Sequence, residues 1–492
     1  MSLSAPSSPA PSNSAAPAAR VFGGAIGRRL FLRNAATAVA GAFALPAAFP
    51  AIIPARVLGA EAPSNLLQIG QIGCGRIARD HDLGETLGLT KLARVVAVCD
   101  LDRNRLADGK RLVEGRYKKL KVAGVNVATF GDYRAMLRDA KLDAVMISTP
   151  DHWHAEPAIV AALAGKHVYL QKPTSLTVVE GRQLVTAVKR GGVVLQIGTQ
   201  QRSMAQFRVA AEFVRNGRIG ALKTVRIGLP GDPAHKDPQP KPTESPAALN
   251  YDAWLGSTPV IPYIEEKVHP QRGYGRPGWL RVEQFGAGMI TGWGQHHFDS
   301  AAWGMDTELT GPVWVEVDQV NFPDHGIWDV HGNFHAQAGY ANGVVMHTSH
   351  AYKNGIRYEG ENGKWIFVSR GGYTASASDP VTGEMKNQSG LQASDPALLR
   401  PLGKDEKVRL KKSSNHHRDW LESIRKREKP LCPAEEGQRS CTICLITHIA
   451  MKLRRRLEWD PATERFKNDS EANALLRREQ RKPYGTDAAI AA

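Results

Sequence analysis

Residues 66–78 read LLQIGQIGCGRIA, and this stretch decides the fold of the chain. The apolar run that ends at Ile72 predicts a buried strand, and a helix is predicted to begin just after Gly75. Two glycines between a strand and a helix let the backbone approach a pyrophosphate closely. The N–H groups at the start of the helix then face the anion, and the helix dipole favours its charge. The stretch therefore predicts a phosphate-binding turn.

The next predicted strand supports the same interpretation. It runs from Arg94 to Cys99 and ends on Asp100, whose carboxylate can accept hydrogen bonds from the ribose hydroxyls of a dinucleotide. A glycine motif alone is weak evidence, but strand, glycine turn, helix, strand and acid in this order are much stronger. The alternative is a glycine-rich turn in an unrelated βαβ unit.

Strands and helices alternate as far as residue 200, which predicts a doubly wound parallel sheet of the Rossmann type. Beyond residue 205 the strand-like segments fit an open, mainly antiparallel sheet, with Asn342-Gly343 as a hairpin turn. The predicted fold class is therefore α/β, with an N-terminal Rossmann domain and a C-terminal α+β domain. The predicted boundaries are a leader at 1–62, the Rossmann domain at 63–202, the C-terminal domain at 203–460 and a polar tail at 461–492.

The leader has the parts of an export signal. The basic segment Arg28-Arg29-Leu30-Phe31-Leu32-Arg33 precedes a short apolar stretch, 35–48, and small residues follow at 59–62. The paired arginines before Phe31-Leu32 resemble the twin-arginine signal, whose pathway carries folded proteins. We therefore expect the twin-arginine export machinery as a partner and a periplasmic or otherwise exported location. The alternative is a basic, disordered N-terminus with an apolar patch.

The composition, with 42% hydrophobic and 23% charged residues, is typical of a globular protein with a substantial core. The formal net charge is +16, but the basic residues are spread over predicted helices and loops and form no stripe with interleaved aromatics. We therefore expect no nucleic-acid partner. No stretch of the mature chain is long and apolar enough to span a bilayer, so no stable membrane insertion is expected.

The cysteines and histidines do not predict a metal site. Cys441 and Cys444 form a CxxC on one face of a predicted helix, but no second pair accompanies them, so buried packing is the favoured interpretation. His331 and His335 are four residues apart in a predicted strand and can share a face, whereas the pair at 347 and 350 cannot. No carboxylate spacing completes a set of ligands, so we expect no metal.

Ligands in doubly wound folds bind at the carboxyl ends of the strands, and two polar segments follow predicted strands directly. One is Thr149-Pro150-Asp151-His152-Trp153-His154, and the other is Gln171-Lys172-Pro173. A lysine at a strand end, followed by a proline of fixed φ, is held in place and could exchange a proton with a sugar hydroxyl. The alternative is a solvated surface lysine.

A third polar segment lies in the second predicted domain. His296 and Asp299 are three residues apart, so on a helix the carboxylate could orient the imidazole. The alternative is a pair of histidines in the core or on the surface. Trp153 and Arg202 are candidates for substrate contact, although Trp153 could equally be a packed aromatic.

Taken together, these segments resemble the Gfo/Idh/MocA family of sugar and inositol oxidoreductases, particularly its exported bacterial members. The matching marks lie between about residues 66 and 460 and are Gly73-Cys74-Gly75, Cys99-Asp100, residues 149–154, Lys172-Pro173 and Gly294-Gln295-His296-His297-Phe298-Asp299. The resemblance implies a Rossmann domain followed by an α/β domain. The open sheet of the second domain would cover the substrate and form a homo-oligomer interface.

The resemblance also implies a reaction, in which hydride passes between a carbon of a sugar, cyclitol or glycoside and the nicotinamide of NAD(P). Lys172 would be the acid/base, and His296 would be the second proton-handling group. The implied cofactor-binding residues are Gly73, Gly75, Arg76, Ile77, Asp100, Thr149, Pro150, His154, Gln171 and Lys172. The candidate substrate contacts are Trp153, Arg202, His297 and Asp299.

Two positions depart from the usual pattern of the family. Gln171 stands where a glutamate usually precedes Lys-Pro, and Gly292 stands where many members carry an aspartate four residues before the histidine. A Lys–Asp–His relay is therefore incomplete. Either Asp299 or a water takes over, or the activity differs from simple dehydrogenation.

The cofactor expected is NAD, because the charge of Asp100 repels the 2′-phosphate of NADP, although Arg103 nearby could approach such a phosphate. Free cofactor is scarce outside the cytoplasm, so we expect a tightly bound nucleotide that is recycled within each turnover. One alternative is a redox-neutral, NAD-dependent glycosidase or keto-sugar lyase that oxidises its substrate transiently. Another is a non-catalytic nucleotide- or sugar-binding protein.

Overall fold

The computed structural model describes residues 65–231, 240–372 and 390–491. The predicted leader, including Arg28-Arg29, lies outside these residues. Within the three described ranges, no helix has the length and apolar character needed to cross a membrane.

The first half of the chain alternates strands with helices, as its hydrophobic pattern predicts. A helical turn at Ala78–Asp82 leads into the first helix, and a short helical turn at Asp151–Trp153 follows the fourth strand. The elements are β1 (Leu67–Ile72), α1 (Leu83–Leu87), β2 (Ala93–Cys99), α2 (Arg103–Lys119), β3 (Ala128–Phe130), α3 (Tyr133–Asp139), β4 (Ala144–Ile147), α4 (Ala155–Leu163), β5 (His167–Leu170), α5 (Val178–Gly191) and β6 (Leu195–Ile197).

The six strands form one parallel sheet in the order β3-β2-β1-β4-β5-β6. This is the doubly wound order of a Rossmann domain, and the predicted fold is confirmed. The strand order reverses between β1 and β4, so their carboxyl ends diverge there and leave a crevice in which ligands bind. Strand β4 is buried along its whole length, as its continuous apolar sequence predicts.

The second half of the chain contains a larger sheet and the helices that cover it. Its elements are α6 (Ala205–Arg215), β7 (Thr224–Gly228), α7 (Tyr251–Leu255), α8 (Met289–Gly292), α9 (Gly294–Met305), β8 (Trp314–Val320), β9 (Phe334–Gly339), β10 (Val345–Ser349), β11 (Gly355–Glu359), β12 (Trp365–Val368), β13 (Leu391–Ala393), α10 (His416–Lys426), α11 (Ala434–Leu453), β14 (Leu457–Asp460), β15 (Arg465–Phe466), α12 (Ser470–Ala474) and α13 (Thr486–Ala491).

This nine-stranded sheet has the order β13-β12-β11-β7-β10-β9-β8-β14-β15. Only the pairing of β7 with β10 is parallel among its described pairs, so the predicted mainly antiparallel sheet is confirmed. The turn at Asn342-Gly343 joins β9 to β10, and Gly343 has the positive φ, +83°, that such a turn requires. Helices α9 and α11 pack with the inner face of this sheet in one apolar core.

Segments late in the chain return to the first sheet, which the local sequence pattern does not reveal. Trp420, Leu421 and Ile424 of α10 belong to the same apolar cluster as residues of β2 and β4. Ala489 of α13 packs with residues of α4 and α5. The predicted polar tail is therefore partly helical and lies against helices α4 and α5 of the Rossmann half, while the domain boundaries given above stay predictions.

Cys441 and Cys444 are packed as predicted, whereas the histidine at 335 has a partner other than the one that the sequence spacing suggested. Cys441 and Cys444 are buried in α11 and form no disulfide, which agrees with packing, and burial raises the pKa of Cys441 to about 12. His335 does not pair with His331 along one strand. It stacks on His347 across β9 and β10, with ring centroids 5.9 Å apart, and its Nδ1 lies 2.8 Å from Asp318 Oδ2.

Candidate active site

The glycine turn after β1 has the geometry expected of a phosphate-binding turn. Gly73 has a φ of +82°, and a Cβ built on it would lie 2.8 Å from the carbonyl oxygen of Ser148. A Cβ on Gly75 would instead meet open space, with Nη1 of Arg105 the nearest atom at 4.0 Å. Gly73 therefore fits the turn to the neighbouring strand end, and Gly75 leaves room for a ligand.

Asp100 closes the turn from the end of β2. Its Oδ2 accepts a hydrogen bond from the Cys74 backbone N–H at 2.7 Å, and its Oδ1 accepts one from Asp102 N–H at 2.9 Å. Burial raises the pKa of this carboxyl, whereas the two backbone hydrogen bonds act in the opposite direction. The predicted neighbourhood of glycine turn and acid is present.

A cavity of about 550 Å³ lies at this turn, where the strand order reverses. Eight of the predicted residues line it: Gly73, Gly75, Arg76, Ile77, Asp100, Thr149, Pro150 and Trp153. His154, Gln171 and Lys172, which we predicted to bind the cofactor, do not line it. Arg103 does not line it either, because its guanidinium donates to the carbonyl of Ala247, whereas Arg105 does.

Two segments that sequence reasoning missed complete the walls of the cavity. The first includes Asn250, Trp254 and Trp279, and the second is Pro483-Tyr484 near the end of the chain. Residues 249–285 form an apolar cluster of their own that packs against Leu101, beside Asp100. The signal for the first segment was its run of aromatic residues. The second had no local signal, because its neighbours in the fold lie hundreds of residues earlier in the chain.

Trp153 is packed against neighbouring residues and also lines the cavity, while its contact with substrate stays a prediction. Its Nε1–H donates to the carbonyl of Trp254 at 2.8 Å, and Tyr133 and Tyr484 meet its ring edge-on. His154, by contrast, is buried between two loops. Its ring nitrogens lie 2.5 Å from the carbonyl oxygen of Pro173 and 3.0 Å from that of Thr149. It therefore joins the loops that follow β4 and β5 and does not face the cavity.

Lys172 lies at the carboxyl end of β5, as predicted, and points into the protein. Its ammonium donates to the carbonyl oxygen of Gly292 at 2.6 Å. A Cβ on Gly292 would lie 2.8 Å from the end of the Leu280 side chain, which would have to shift to admit it. At this position the lysine is thus held by a backbone carbonyl and not by a side-chain carboxylate. Lys172 is half-buried and hydrogen-bonded, so it is not a freely solvated lysine.

Two buried titratable groups accompany Lys172. Burial raises the pKa of Asp151 to about 8, an effect that the charge of Lys172 opposes, and Asp151 Oδ2 has no hydrogen-bond partner in the described structure. Burial lowers the pKa of His296 well below its usual value, and the positive charges of Arg370 and Lys172 act in the same direction. A buried carboxyl and a buried, neutral imidazole are therefore close enough to the half-buried Lys172 for its charge to act on both.

Asp299 does not orient His296, so this part of the sequence analysis is wrong. Both oxygens of Asp299 accept hydrogen bonds from the guanidinium of Arg202, at 2.7 and 2.8 Å, and all of these atoms are buried. A bidentate hydrogen-bonded ion pair is stronger than a hydrogen bond to a neutral imidazole, which explains why Asp299 pairs with Arg202 and not with His296. Glu308 accepts a third bond from Arg202 at 2.7 Å. Arg202 and Asp299 thus form a structural ion pair and do not offer substrate contacts.

His297 also turns away from the region around Lys172. Its Nε2 accepts a hydrogen bond from the indole N–H of Trp293 at 3.1 Å, one helical turn earlier. Burial lowers its pKa to about 3, so the ring is neutral. Because adjacent residues of a helix cannot share a face, only His296 of this pair lies beside Lys172.

The two halves of the chain match models of one family. Residues 67–199 match the model of an oxidoreductase family described as its NAD-binding Rossmann fold. Residues 236–370 and 401–486 match the model of the same family's C-terminal alpha/beta domain.

Curated relatives are similar over part of their length. Myo-inositol 2-dehydrogenase of Thermotoga maritima is 31% identical over 180 residues, which are 36% of this chain and 48% of that protein. D-glucoside 3-dehydrogenase of Escherichia coli is 29% identical over 174 residues, which are 34% of this chain and 46% of that protein. The chain thus spans about half the length of the curated relatives it matches.

Solved structures are similar over more of the chain. The WlbA dehydrogenase from Bordetella pertussis, solved in complex with NADH and UDP-GlcNAcA, aligns with 80% of this chain and 99% of its own. The TM-score is 0.56 and the sequence identity is 16%, so this similarity establishes the shared fold.

Proposed function

We propose, since the chain belongs to the Gfo/Idh/MocA family of oxidoreductases, that it transfers hydride between a hydroxyl-bearing carbon of a sugar or cyclitol and NAD. The observation that supports this proposal is the position of the half-buried Lys172, whose ammonium is held by the carbonyl of Gly292 and whose charge acts on Asp151 and His296. Asp151 directly follows Pro150, which lines the cavity of the glycine turn. The ammonium and the dinucleotide cavity are therefore neighbours.

Side chains of this protein would bind the substrate and transfer its hydroxyl proton. A bound nicotinamide supplies the acceptor for hydride. Lys172 exchanges a proton with the hydroxyl of the carbon that is oxidised, and the carbonyl of Gly292 holds the ammonium in place through one of its three N–H groups. His296 is neutral at physiological pH, so its ring can hydrogen-bond to a substrate hydroxyl and take part in proton transfer.

Asp151 supplies the carboxyl that the position of Gly292 lacks. It is the buried carboxyl on which the charge of Lys172 acts, and its Oδ2 has no partner in the described structure. Because burial keeps this carboxyl mostly protonated near neutral pH, it can exchange a proton with the amine form of the lysine. Asp299 cannot do this, because Arg202 occupies both of its oxygens.

Retention of NAD through many turnovers is the second part of the proposal. Residues between 250 and 279 and Pro483-Tyr484 add walls to the cavity and would slow the escape of a bound nucleotide. An enclosed nucleotide has to be reoxidised or reduced in place, by a second sugar or by the same one. This suits an exported enzyme, and we propose that Arg28-Arg29 directs the folded, loaded protein to the twin-arginine pathway.

The direct test uses the full chain, purified in folded form. Mass spectrometry of the small molecules released on denaturation should find about one NAD per chain. The protein is then mixed with panels of inositols, aldoses and glycosides while the absorbance of the reduced nicotinamide is followed. Reduction by one sugar and reoxidation by another would support the proposal. A purified protein that contains no nucleotide and binds none would contradict it.

A redox-neutral cleavage of a glycoside remains a second candidate, favoured by the carbonyl of Gly292 in place of a relay carboxylate together with the covered cavity. It predicts release of the leaving group from an aryl glycoside without any net change in nicotinamide absorbance. Loss of turnover in Lys172→Ala with retained nucleotide would oppose the third possibility, a non-catalytic binding protein.

A further inference from the structure

A second buried cluster of polar groups lies beside Lys172, and its central carboxylate neither lines the cavity nor takes part in the proposed reaction. At its centre is Asp82, which is fully buried at the end of the helical turn that follows the glycine turn. Its Oδ1 lies 3.2 Å from His81 Nδ1 and 3.2 Å from His417 Nε2. Gln171 Nε2 donates to the same oxygen at 2.8 Å, and the hydroxyl of Ser148 donates to Oδ2 at 2.7 Å.

The carboxyl of Asp82 is ionised at neutral pH. Burial alone would raise its pKa, but the hydrogen bonds from His417 and His81 hold it well below the usual value. Burial lowers the pKa of His417, whose ring stacks on Tyr169 at 4.2 Å, and Glu85 is a further charge near this ring. The cluster therefore holds one buried negative charge, and four hydrogen-bond donors surround it.

The partners of Asp82 connect it to the candidate active site. Gln171 immediately precedes Lys172 at the end of β5, and Ser148 immediately precedes Thr149 at the end of β4. One carboxylate therefore ties together the two strand ends that carry the lysine and part of the cavity wall. Gln171 stands where family members usually have glutamate, so here a carboxylate from another element faces an amide at that position.

We infer that Asp82 is a positioning residue for Lys172 and acts through the carboxylate–amide pair that it forms with Gln171. This inference rests on the proposed function, because it concerns the placement of the proposed acid/base. Asp82 itself touches neither the cavity nor the reacting atoms. It acts through Gln171, the residue that directly precedes Lys172 in the chain.

Within the described structure, His81, Asp82 and His417 form a group whose potential ligand atoms all lie within 4.8 Å of one another. A bound metal ion is therefore the competing explanation for this cluster. Zinc would need these atoms to converge at about 2.0–2.2 Å from one point. The amide N–H of Gln171 and the hydroxyl of Ser148 also donate to the carboxylate, which fits an anion better than a bound cation. Metal analysis of the purified protein decides between the two.

The experiment is an exchange of the two side chains. Asp82→Asn leaves the donors around a neutral amide, and Gln171→Glu places a second buried carboxylate against the first, so each single change should lower the unfolding midpoint by roughly 5–10 °C. Each should also lower kcat with the sugar substrate by about 10–100-fold, with KM and nucleotide content little changed. The double variant Asp82→Asn/Gln171→Glu again pairs one carboxylate with one amide, and both the midpoint and kcat should recover most of the loss.

The matched control is Asp82→Asn/Gln71→Glu. Gln71 is buried and donates to the hydroxyl of Ser148 at 3.0 Å, but it makes no contact with Asp82 among the described hydrogen bonds. A carboxylate at position 71 should therefore not restore the midpoint or kcat. Recovery in this control would overturn the inference, because any nearby negative charge would then suffice.

The other outcomes are also decisive. A double variant that recovers its midpoint but not kcat would make Asp82 purely structural, and one that recovers neither would remove the pairing; both overturn the inference. Stoichiometric metal that is lost in Asp82→Asn would overturn it as well. If Lys172→Ala keeps full turnover, the proposed function fails, and this result is independent of the midpoints in the exchange. If Lys172→Ala is inactive and the exchange fails, the proposed function stands and only this inference falls.

Discussion

At the scale of single residues, the two glycines of the turn after β1 have different tasks. Gly73 needs a positive φ and has no room for a Cβ, whereas Gly75 has room but faces the cavity. We predict that Gly73→Ala destabilises the fold by about 1–3 kcal/mol and loses the nucleotide. Gly75→Ala, the matched control, should lose nucleotide affinity but keep the unfolding midpoint that the nucleotide-free wild type has. Thermal unfolding and nucleotide content of the purified variants check this. Equal destabilisation by both changes would contradict it.

The raised pKa of Asp151 predicts how the folding stability of the protein depends on pH. Its pKa is raised from 3.8 to about 8 in the folded protein, so the unfolded chain releases a proton that the folded chain keeps between these values. Stability contributed in this way is complete at low pH and is lost as the pH rises toward 8. Asp151→Asn removes the effect, so the wild type should lose stability relative to the variant as the pH rises. The slope has an upper limit of about 1.4 kcal/mol per pH unit.

Denaturant unfolding of the wild type and of Asp151→Asn across this pH range measures the difference. Asp108→Asn is a suitable control, because hydrogen bonds lower the pKa of that carboxyl instead of raising it. A constant difference between the wild type and Asp151→Asn across the range would show that Asp151 does not titrate as described.

Single residues also mark how far the sequence could predict the site. The glycine turn, Asp100 and Lys172 could be placed because each follows a strand whose hydrophobic pattern is local. The role of Asp299 could not, because its partner Arg202 lies 97 residues earlier in the chain. The helical spacing of His296 and Asp299 was correct, but a competing charge from another element decided the contact.

At the scale of elements, the segment before α13 is a wall of the cavity. Tyr484 lines it and meets the ring of Trp153 edge-on at 5.6 Å, and the backbone N–H of Gly485 donates to Glu156 at 2.6 Å. We predict that Tyr484→Ala speeds the exchange of bound NAD with labelled NAD by about 10-fold, since an aromatic contact of this kind contributes about 0.5–1.5 kcal/mol. The measurement follows loss of bound nucleotide after rapid dilution.

Tyr352→Ala is the control for this experiment. Tyr352 contacts His335 and Arg226 on the nine-stranded sheet, away from the cavity, so its loss should leave nucleotide exchange unchanged. Equal exchange rates in the wild type and in Tyr484→Ala would mean that the segment does not retain the cofactor.

The elements themselves were largely predictable where their patterns are local. Helix α5, for example, begins at a capping box formed by Thr177 and Glu180, a signal that lies in four consecutive residues. Strands β11, β13, β14 and β15 were missed, because they are short and their order depends on the strands with which they pair. The segment 249–285 was missed for a similar reason, since it has little regular structure and is held by its own apolar cluster.

At the scale of the whole molecule, the open sheet presents a face that the described chain does not cover with helices. Arg357 lies over the ring of Trp365 at 4.4 Å, and His335 stacks on His347, so this face mixes aromatic and charged groups. We predict that it joins two copies of the chain. Light scattering should find a dimer in the wild type and a monomer in Trp365→Glu, because a charge placed against the partner sheet is costly.

Val260→Glu is the control for the dimer. Val260 is 67% exposed and lies outside the sheet, so this change should leave the molecular mass of the particle unaltered. A wild type that is monomeric at all concentrations, or a Trp365→Glu variant that stays dimeric, would contradict the prediction.

The central claim is that Lys172 acts on a substrate held beside an NAD that the cleft binds independently. The most direct measurement is turnover and nucleotide content of Lys172→Ala, purified in parallel with the wild type. We expect turnover to fall by about 10²–10⁴-fold while about one NAD per chain is retained. A variant that turns over sugar at the rate of the wild type would contradict the account.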